Sequence, residues 1–327
     1  MKAPAFWSLP RPDLRARLLQ PAGALYGAAT LWRMRRARMD CGIPVICVGN
    51  YTVGGAGKTP VAIYVAQLLA ARGMRVFFLS RGYGGTLARV GAPLRIDAAM
   101  HTARQAGDEP LLLGRVAPVI VAADRVAGAR LAIGQGATVI VMDDGLQGSG
   151  LRHTLALGVI DAAAGFGNGL CLPAGPLRAP VAGQRAHIGA ELVIGEGAAL
   201  PPVRLPRFTA SLRPDPAAAA KLKGRRVLAF AGIGRPEKFF TTLAQAGADI
   251  VQRRGFADHH VFSASELAAL GDAARRDALL PVTTEKDAVR LPAAWLAQSG
   301  ACVLPVTLQV ESDAAFAELV MAAIGRG

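Results

Sequence analysis

A glycine-rich segment between a strand and a helix constrains the fold of this chain more than any other feature. Residues 49–59 read Gly-Asn-Tyr-Thr-Val-Gly-Gly-Ala-Gly-Lys-Thr. The apolar run Pro44–Gly49 predicts a buried strand before it, and apolar residues at helical spacing from Val61 to Leu69 predict a helix after it. In that setting glycines let backbone amides approach phosphate oxygens, and the helix N-terminus favours an anion. The segment predicts a phosphate-binding loop.

The residue types in this loop suit ATP and Mg²⁺. Lys58 supplies a cation for the phosphates, and the Thr59 hydroxyl can bind magnesium. The loop departs from the strict Walker pattern, which has glycine where Thr52 stands, and its Gly-Gly-x-Gly-Lys-Thr core also occurs in partitioning and metallochaperone-type NTPases, which usually carry lysine where Val53 stands. The residues predicted to contact the nucleotide are Thr52, Val53, Gly54, Gly55, Ala56, Gly57, Lys58 and Thr59.

Further strands are predicted at short apolar runs that alternate with helical stretches. The runs are Arg75–Ser80, Pro118–Ala122 and Thr138–Asp143, and Asp124–Ile133 is one of the helical stretches. Alternating strands and helices are typical of a parallel sheet covered by helices. The expected fold class is α/β, with a P-loop NTPase-like, mostly parallel sheet flanked by helices.

The length of 327 residues favours two domains, because single cores stop growing at roughly 250–300 residues. Five prolines between Pro201 and Pro216 predict a linker over 206–220. We therefore expect a P-loop kinase domain over 41–205 and a smaller α/β domain over 221–327. The smaller domain is predicted to open with a strand at Arg226–Ala231 and to contain a capping box from Ser263 to Glu266.

Three carboxylates and a histidine are candidates for phosphotransfer chemistry. Asp143 and Asp144 end a predicted strand at the sheet edge where a Walker B aspartate holds magnesium. Asp108 precedes Glu109-Pro110 at a predicted helix start and is the candidate base, although such a residue is also a routine helix cap. Either His259 or His260 could relay a proton to a carboxylate, although adjacent histidines are also common at surfaces.

The first forty residues predict a basic amphipathic helix on a membrane surface. Leu18 to Trp32 is a run of fifteen residues without charge, short of the roughly 20 needed to span a bilayer. Residues 1–40 carry eight basic and two acidic side chains, a net charge of +6. Such a segment is attracted to anionic lipids, although it could equally pack on its own domain.

Charge and cysteine content bear on partners and location. The net charge of +14 fits nucleic acid, a membrane surface or an anionic substrate. Aromatic residues make up only 6% of the chain, which disfavours a nucleic-acid platform, so no nucleic-acid partner is expected. The four cysteines have no disulfide or metal spacing, and no secretory signal is evident, which favours the cytoplasm.

Taken together, the motifs resemble one family, the tetraacyldisaccharide 4'-kinases. The resemblance spans nearly the whole chain and rests on seven segments in order. They are 49–60, Ser80-Arg-Gly-Tyr-Gly-Gly85, Gly107-Asp-Glu-Pro110, Asp143-Asp-Gly-Leu-Gln147, Leu172-Pro-Ala-Gly-Pro-Leu-Arg178, Phe256-Ala-Asp-His-His260 and Thr284-Glu-Lys-Asp287.

The resemblance implies transfer of the ATP γ-phosphate to the 4'-hydroxyl of an acylated disaccharide 1-phosphate, at the cytoplasmic face of the bacterial inner membrane. It implies that Asp108 acts as base with His259, and that Lys58 contacts phosphate. Thr59, Asp143, Asp144 and Gln147 are then expected near the metal. The residues expected near the lipid substrate are Tyr83, Glu109, Arg125 and Arg178.

Two positions depart from the family pattern. Gly148 stands where a histidine often follows the Asp-Asp-Gly-x-Gln run of the family. Ala179 stands where an acidic residue often follows the Pro-Leu-Arg segment. These departures concern details of substrate contact more than the reaction. Two alternatives remain at this point, a membrane-associated switch NTPase of the variant-loop class and a nucleic-acid-binding ATPase.

Overall fold

In the computed structural model, which describes residues 3–36, 38–89, 91–148, 150–197 and 200–325, strands and helices alternate along most of the chain. The strands are β1 (Val45–Asn50), β2 (Val76–Ser80), β3 (Leu94–Ile96), β4 (Val119–Val121), β5 (Val139–Asp143), β6 (Leu155–Asp161), β7 (Ala190–Ile194), β8 (Arg207–Pro214), β9 (Arg226–Ala231), β10 (Asp249–Gly255), β11 (Leu280–Thr284), β12 (Cys302–Leu304) and β13 (Val306–Val310). The helices are α1 (Leu14–Met34), α2 (Lys58–Ala70), α3 (Ala103–Ala106), α4 (Asp108–Leu113), α5 (Arg125–Gly134), α6 (Val181–Arg185), α7 (Pro216–Leu222), α8 (Pro236–Gln245), α9 (Ala264–Arg276), α10 (Glu285–Ala288), α11 (Ala293–Ser299) and α12 (Asp313–Ile324).

The larger sheet has nine strands in the order β13-β8-β7-β6-β1-β5-β2-β4-β3. Its neighbours run parallel except for the two edge pairs, β13 with β8 and β3 with β4. Every residue of β1 is buried, as expected for a central strand with both faces covered. The predicted α/β class, with a mostly parallel sheet flanked by helices, is confirmed.

Helices cover both faces of this sheet. On one face Val61, Val65 and Leu69 of α2 join Phe316 of α12 in a core with alternate residues of the strands. On the other face Met34 of α1 and the alanines of α5 pack against the remaining strand residues. Because side chains alternate along each strand, one short apolar run supplies both cores.

Much of the segment 206–220, which was predicted to be a linker, is a strand of the large sheet. Residues 207–214 form β8, which pairs with β7 in parallel and with β13 in antiparallel orientation. The prolines that suggested a connector lie outside or at the end of this strand, and Phe208, Ala210 and Leu212 carry the alternation expected of a strand. The last strand and helix, β13 and α12, also return to the large sheet.

The smaller sheet has four parallel strands in the order β10-β9-β11-β12 and forms the predicted second α/β unit. The predicted capping box begins α9: the Ser263 hydroxyl accepts from the Glu266 amide, and the Glu266 carboxylate accepts from the Ser263 amide. The two sheets meet where Asp161, at the end of β6, forms ion pairs with Arg235 and Lys238 at the start of α8.

Helix α1 packs on the large domain through one face only. Its buried residues, Ala16, Gly23, Gly27, Thr30 and Met34, recur at helical spacing. A Cβ atom on Gly23 would lie 2.7 Å from the Cys171 carbonyl oxygen, so the close packing requires glycine there. No helix in the described ranges combines the length and apolar character that crossing a membrane requires.

Candidate active site

The phosphate loop joins β1 to α2 at the middle of the large sheet. Gly54 and Gly57 have φ angles of 103° and 88°, a left-handed conformation that favours glycine. Gly57 is the N-cap of α2, and Lys58 is buried in its first turn with 8% of its surface exposed. The loop therefore presents backbone amides and one shielded cation, as an anion site requires.

The two positions that depart from common loop patterns have a structural role. The Val53 amide donates to the Pro176 carbonyl at 2.9 Å, and Thr52 pairs with Leu177 in an isolated bridge. The backbone at Pro176 and Leu177 is thereby hydrogen-bonded to the start of the phosphate loop and stabilises its position. Within the loop, the Ala56 amide donates to the Gly54 carbonyl at 3.1 Å, while Gly55 is exposed.

Thr59 and Asp143 form the pair best suited to a divalent metal. The Thr59 hydroxyl donates to Asp143 Oδ2 at 3.3 Å, and Asp143 Oδ1 is buried without a hydrogen-bond partner. Burial and the nearby Glu109 carboxylate raise the pKa of Asp143 to about 7. In the described part of the chain no cluster of three His, Cys, Asp or Glu side chains could hold a metal. Hydroxyl and carboxylate oxygens beside a phosphate loop fit Mg²⁺, which uses one or two carboxylates plus substrate phosphates.

The other two predicted metal residues have different partners. Arg178 donates to both oxygens of Asp144, at 2.7 and 3.0 Å, and Lys58 Nζ lies 3.8 Å from Asp144 Oδ2. Burial alone would raise the pKa of Asp144, but the positive charges of Lys58 and Arg178 outweigh it and lower that pKa. Gln147 donates to the Asn50 carbonyl at 2.7 Å and accepts from Arg178 at 3.2 Å. Asp144 thus orients two cations beside the loop.

Asp108 of the large domain and His259 of the smaller domain are in direct contact. Asp108 begins α4 and is 4% exposed, and Nδ1 of His259 lies 2.9 Å from its Oδ2 and 3.1 Å from its Oδ1. Burial alone would raise the pKa of Asp108, but the His259 hydrogen bond and the charges of Lys286 and Arg290 outweigh it and lower that pKa. An ionised carboxylate can only accept, so this contact places the hydrogen on Nδ1.

The path from this pair to the phosphate loop is short. Gly234 follows β9, and a Cβ atom built on it would lie 3.3 Å from Asp258 Oδ2 and 3.9 Å from the Gly55 nitrogen. His259 is the next residue in the chain after Asp258. The Asp108–His259 pair therefore lies beside the mouth of the phosphate loop.

Of the residues predicted to contact the lipid substrate, Tyr83 and Glu109 lie beside this pair, whereas Arg178 contacts Asp144. The exposed Tyr83 ring lies edge-on to His259, with 6.2 Å between ring centroids. Glu109 is 3.5 Å from Lys286 Nζ. Arg125 starts α5 and is buried, and desolvation lowers its pKa. Its side chain donates to the Ala122 carbonyl at 3.5 Å. Arg125 therefore lies apart from Asp108 and His259 in its direct contacts.

Sequence reasoning missed two cations of the smaller domain, Lys286 and Arg290. Nε of Arg290 lies 3.9 Å from Asp108 Oδ2, and its side chain is 6% exposed. The sequence did contain a clue to Arg290. It lies three positions after Asp287, and residues of opposite charge at this spacing are expected to pair on a helical turn.

Comparisons with known proteins identify one family. The family model LpxK, tetraacyldisaccharide-1-P 4'-kinase, matches residues 15–325. A tetraacyldisaccharide 4'-kinase of Methylobacterium nodulans is 54% identical, over 99% of this chain and 97% of that protein. One from Rhodopseudomonas palustris is 49% identical, over 96% of this chain and 94% of that protein.

A solved structure of a family member also matches this chain. LpxK from Aquifex aeolicus, in complex with ATP, is 25% identical and superposes with a TM-score of 0.75, covering 95% of this chain and 100% of that chain. The family resemblance and the α/β fold expected from the sequence are confirmed, and a switch NTPase is not favoured. On the extent of the family match and the identity to its members, the chain belongs to the tetraacyldisaccharide-1-P 4'-kinase family.

Proposed function

We propose that this chain transfers the γ-phosphate of ATP to the 4'-hydroxyl of a tetraacyldisaccharide 1-phosphate, an alcohol acceptor, in lipid A biosynthesis. The observation that carries the proposal is the Asp108–His259 pair beside the phosphate loop. An ATPase that needs no acceptor has no use for a carboxylate–histidine pair that joins the large domain to the smaller one. A kinase does, because its acceptor hydroxyl must be oriented and must lose a proton.

The phosphate loop supplies the nucleotide half of the site. We assign the backbone amides between Gly54 and Thr59 to phosphate oxygens, apart from that of Ala56, which donates to the Gly54 carbonyl. Lys58 contributes positive charge beside Asp144. Thr59 and Asp143 would hold Mg²⁺, which supplies charge neutralisation on the phosphates when bound. The free Oδ1 of Asp143 is the atom that supports this assignment.

Asp108 supplies the acceptor half of the site. Its low pKa keeps the carboxylate ionised at neutral pH, so it can accept the proton of the hydroxyl as the new P–O bond forms. The Nδ1–H of His259 holds that carboxylate in one orientation. We assign Tyr83 and Glu109, which flank the pair, to the substrate sugar, and Arg125 and Arg178 to anionic groups.

We further propose that α1 holds the enzyme on the anionic cytoplasmic surface of the inner membrane. Leu14, Leu18, Leu25 and Trp32 are each 59–74% exposed and recur at spacings of four and seven, so they share one face. At about 100° per residue that face is opposite the packed one. The packed face of α1 contacts the segment 171–178 through Gly23 and Gly27, and this segment also carries Arg178.

The direct test is an acceptor-dependent transfer assay. The purified chain is incubated with γ-labelled ATP and Mg²⁺, with either a tetraacyldisaccharide 1-phosphate in mixed micelles or micelles alone. Label in the lipid fraction only when the acceptor is present supports the proposal. Release of free phosphate at the same rate in both samples would instead indicate an acceptor-independent NTPase.

A further inference from the structure

The segment Thr284–Asp287 includes Lys286, described above, and also a fully buried carboxylate to which no role has yet been assigned. Asp287 has 0% exposure. Its Oδ2 accepts from the Thr284 hydroxyl at 2.6 Å, and its Oδ1 accepts from the Gly232 amide at 2.9 Å and from Arg290 Nη2 at 2.5 Å. Because both oxygens of this buried carboxylate are hydrogen-bonded, the Asp287 side chain is held in one orientation within the smaller domain.

Arg290 extends from Asp287 to the backbone around His259. Nη2 donates to the Gly232 carbonyl at 2.9 Å and Nη1 donates to the His260 carbonyl at 3.3 Å, while Nε donates to the Lys286 carbonyl at 3.1 Å. The planar guanidinium offers five donors in a rigid fork, and lysine cannot reproduce that pattern.

The carbonyls of Gly232 and His260, which accept from Arg290, lie on either side of the backbone of His259. The His259 amide itself donates to the Gly232 carbonyl at 3.2 Å, so that oxygen bonds to both His259 and Arg290. His259 has a φ angle of 57°, in the left-handed region that a non-glycine residue occupies only when its surroundings hold it there. A Cβ atom on Gly232 would lie 3.0 Å from Asp287 Oδ1 and 3.1 Å from the His260 Cβ, so the packing leaves no slack.

We propose that Arg290, held by Asp287, is a positioning residue for phosphoryl transfer: it fixes the Gly232 and His260 carbonyls and thereby sets the His259–Asp108 contact. This inference rests on the proposed roles of Asp108 and His259. Arg290 also places positive charge near Asp108, with Nε 3.9 Å from Asp108 Oδ2. Its hydrogen bonds, however, are all to its own domain, and it is through these that we expect it to position His259. The variant Arg290→Lys keeps the charge but loses the fork of donors, and so separates the two effects.

A double-mutant cycle tests this. The single variants are Arg290→Gln, Arg290→Lys and His259→Ala, and the double variant combines Arg290→Gln with His259→Ala. We expect either Arg290 variant to lower kcat by about 30- to 100-fold, because small misplacements of a reacting group have effects of that order. The KM for ATP should stay within about twofold, and Arg290→Gln should slow the His259→Ala enzyme by less than about twofold more.

The control is Arg275→Gln, which removes the same charge from a side chain of the same domain that is 71% exposed, and it should leave kcat unchanged. If Arg290→Gln does not fold by circular dichroism, Arg290→Lys, which keeps the charge beside Asp287, takes its place in the cycle. Effects of the two sites that multiply would overturn the inference, because Arg290 would then act independently of His259. So would a large rise in the KM for ATP.

The inference and the proposed function can fail separately. Wild-type enzyme that does not phosphorylate the lipid acceptor would contradict the function itself. A fully active His259→Ala enzyme would contradict the role of His259 and this inference with it. An impaired His259→Ala enzyme with multiplying effects would overturn the inference alone.

Discussion

The Nδ1 atom of His259 lies 2.9 Å from Oδ2 of Asp108, although the two residues are 151 positions apart in the chain. One residue begins a helix over the nine-stranded sheet, and the other lies in a loop of the four-stranded sheet. The left-handed backbone at His259 costs of the order of 1–3 kcal/mol, which the surrounding contacts must offset. The pair therefore exists only while the two sheets are held against each other.

Replacement of the phosphate-loop lysine tests the nucleotide half of the site. We expect Lys58→Ala to lower kcat/KM by about 10²- to 10³-fold, because it removes a shielded charge from where negative charge develops. Steady-state transfer assays measure this. The matched control, Lys223→Ala, changes an exposed lysine of the smaller domain and should behave as wild type. Near-normal activity of Lys58→Ala would contradict the assignment.

The exposed face of α1 is expected to carry membrane binding. Burying one large apolar side chain stabilises association by about 1.5–3 kcal/mol. We therefore expect the combined variant Leu18→Gln, Leu25→Gln and Trp32→Gln to lose flotation with phosphatidylglycerol vesicles while keeping its melting temperature. Met100→Gln, at a side chain 76% exposed elsewhere, is the control. Unchanged flotation of the triple variant would contradict the proposed membrane face.

A buried carboxylate behind the phosphate loop is expected to make stability depend on pH. Glu191 accepts from the Tyr51 hydroxyl at 2.6 Å, from Arg185 at 2.8 Å and from Arg207 at 2.7 Å, and it is fully buried. Burial alone would raise its pKa, but these hydrogen bonds outweigh burial and lower the pKa. The unfolded value is about 4.3, so the stabilisation is complete above it and is lost as pH falls through the folded value.

We therefore expect Glu191→Gln to destabilise the fold by about 1–3 kcal/mol at pH 7, because it leaves two partly buried arginines without their counter-charge. Thermal unfolding at several pH values measures this. The difference from wild type should shrink as pH falls from 5 to 3. The exposed Glu237→Gln is the control and should shift the midpoint little. A difference that grows on acidification would show that the sign assigned to the pKa of Glu191 is wrong.

Local sequence patterns were sufficient to predict the phosphate loop, the strand before it, and the carboxylates at the end of β5. Each depends on neighbours in the chain, where glycine spacing and apolar runs carry the information. Strand β8 was missed because prolines near its ends outweighed its alternating apolar residues in the prediction. The return of β13 to the large sheet depends on long-range pairing, for which the sequence has no local signal.

The site shows the same division. Asp144 was predicted near a metal from its place after a strand, and Arg178 near the substrate from the family resemblance. Their bidentate contact with each other emerged only from the fold. Ala179, one of the two expected departures from the family pattern, is fully buried, and its carbonyl accepts from Gln184 at 2.6 Å. The charge environment of Asp108 likewise depends on Lys286 and Arg290, which are distant in sequence.

The most direct test of the account compares chemistry with binding in Asp108→Asn. Single-turnover transfer from γ-labelled ATP to the lipid acceptor is measured beside the Kd for ATP, with the exposed Asp272→Asn as control. We predict a rate about 10²- to 10⁴-fold lower with a Kd within about threefold of wild type, as expected when a general base is removed. A transfer rate close to wild type, or a loss of ATP binding equal to the loss of rate, would contradict the claim that Asp108 activates the acceptor.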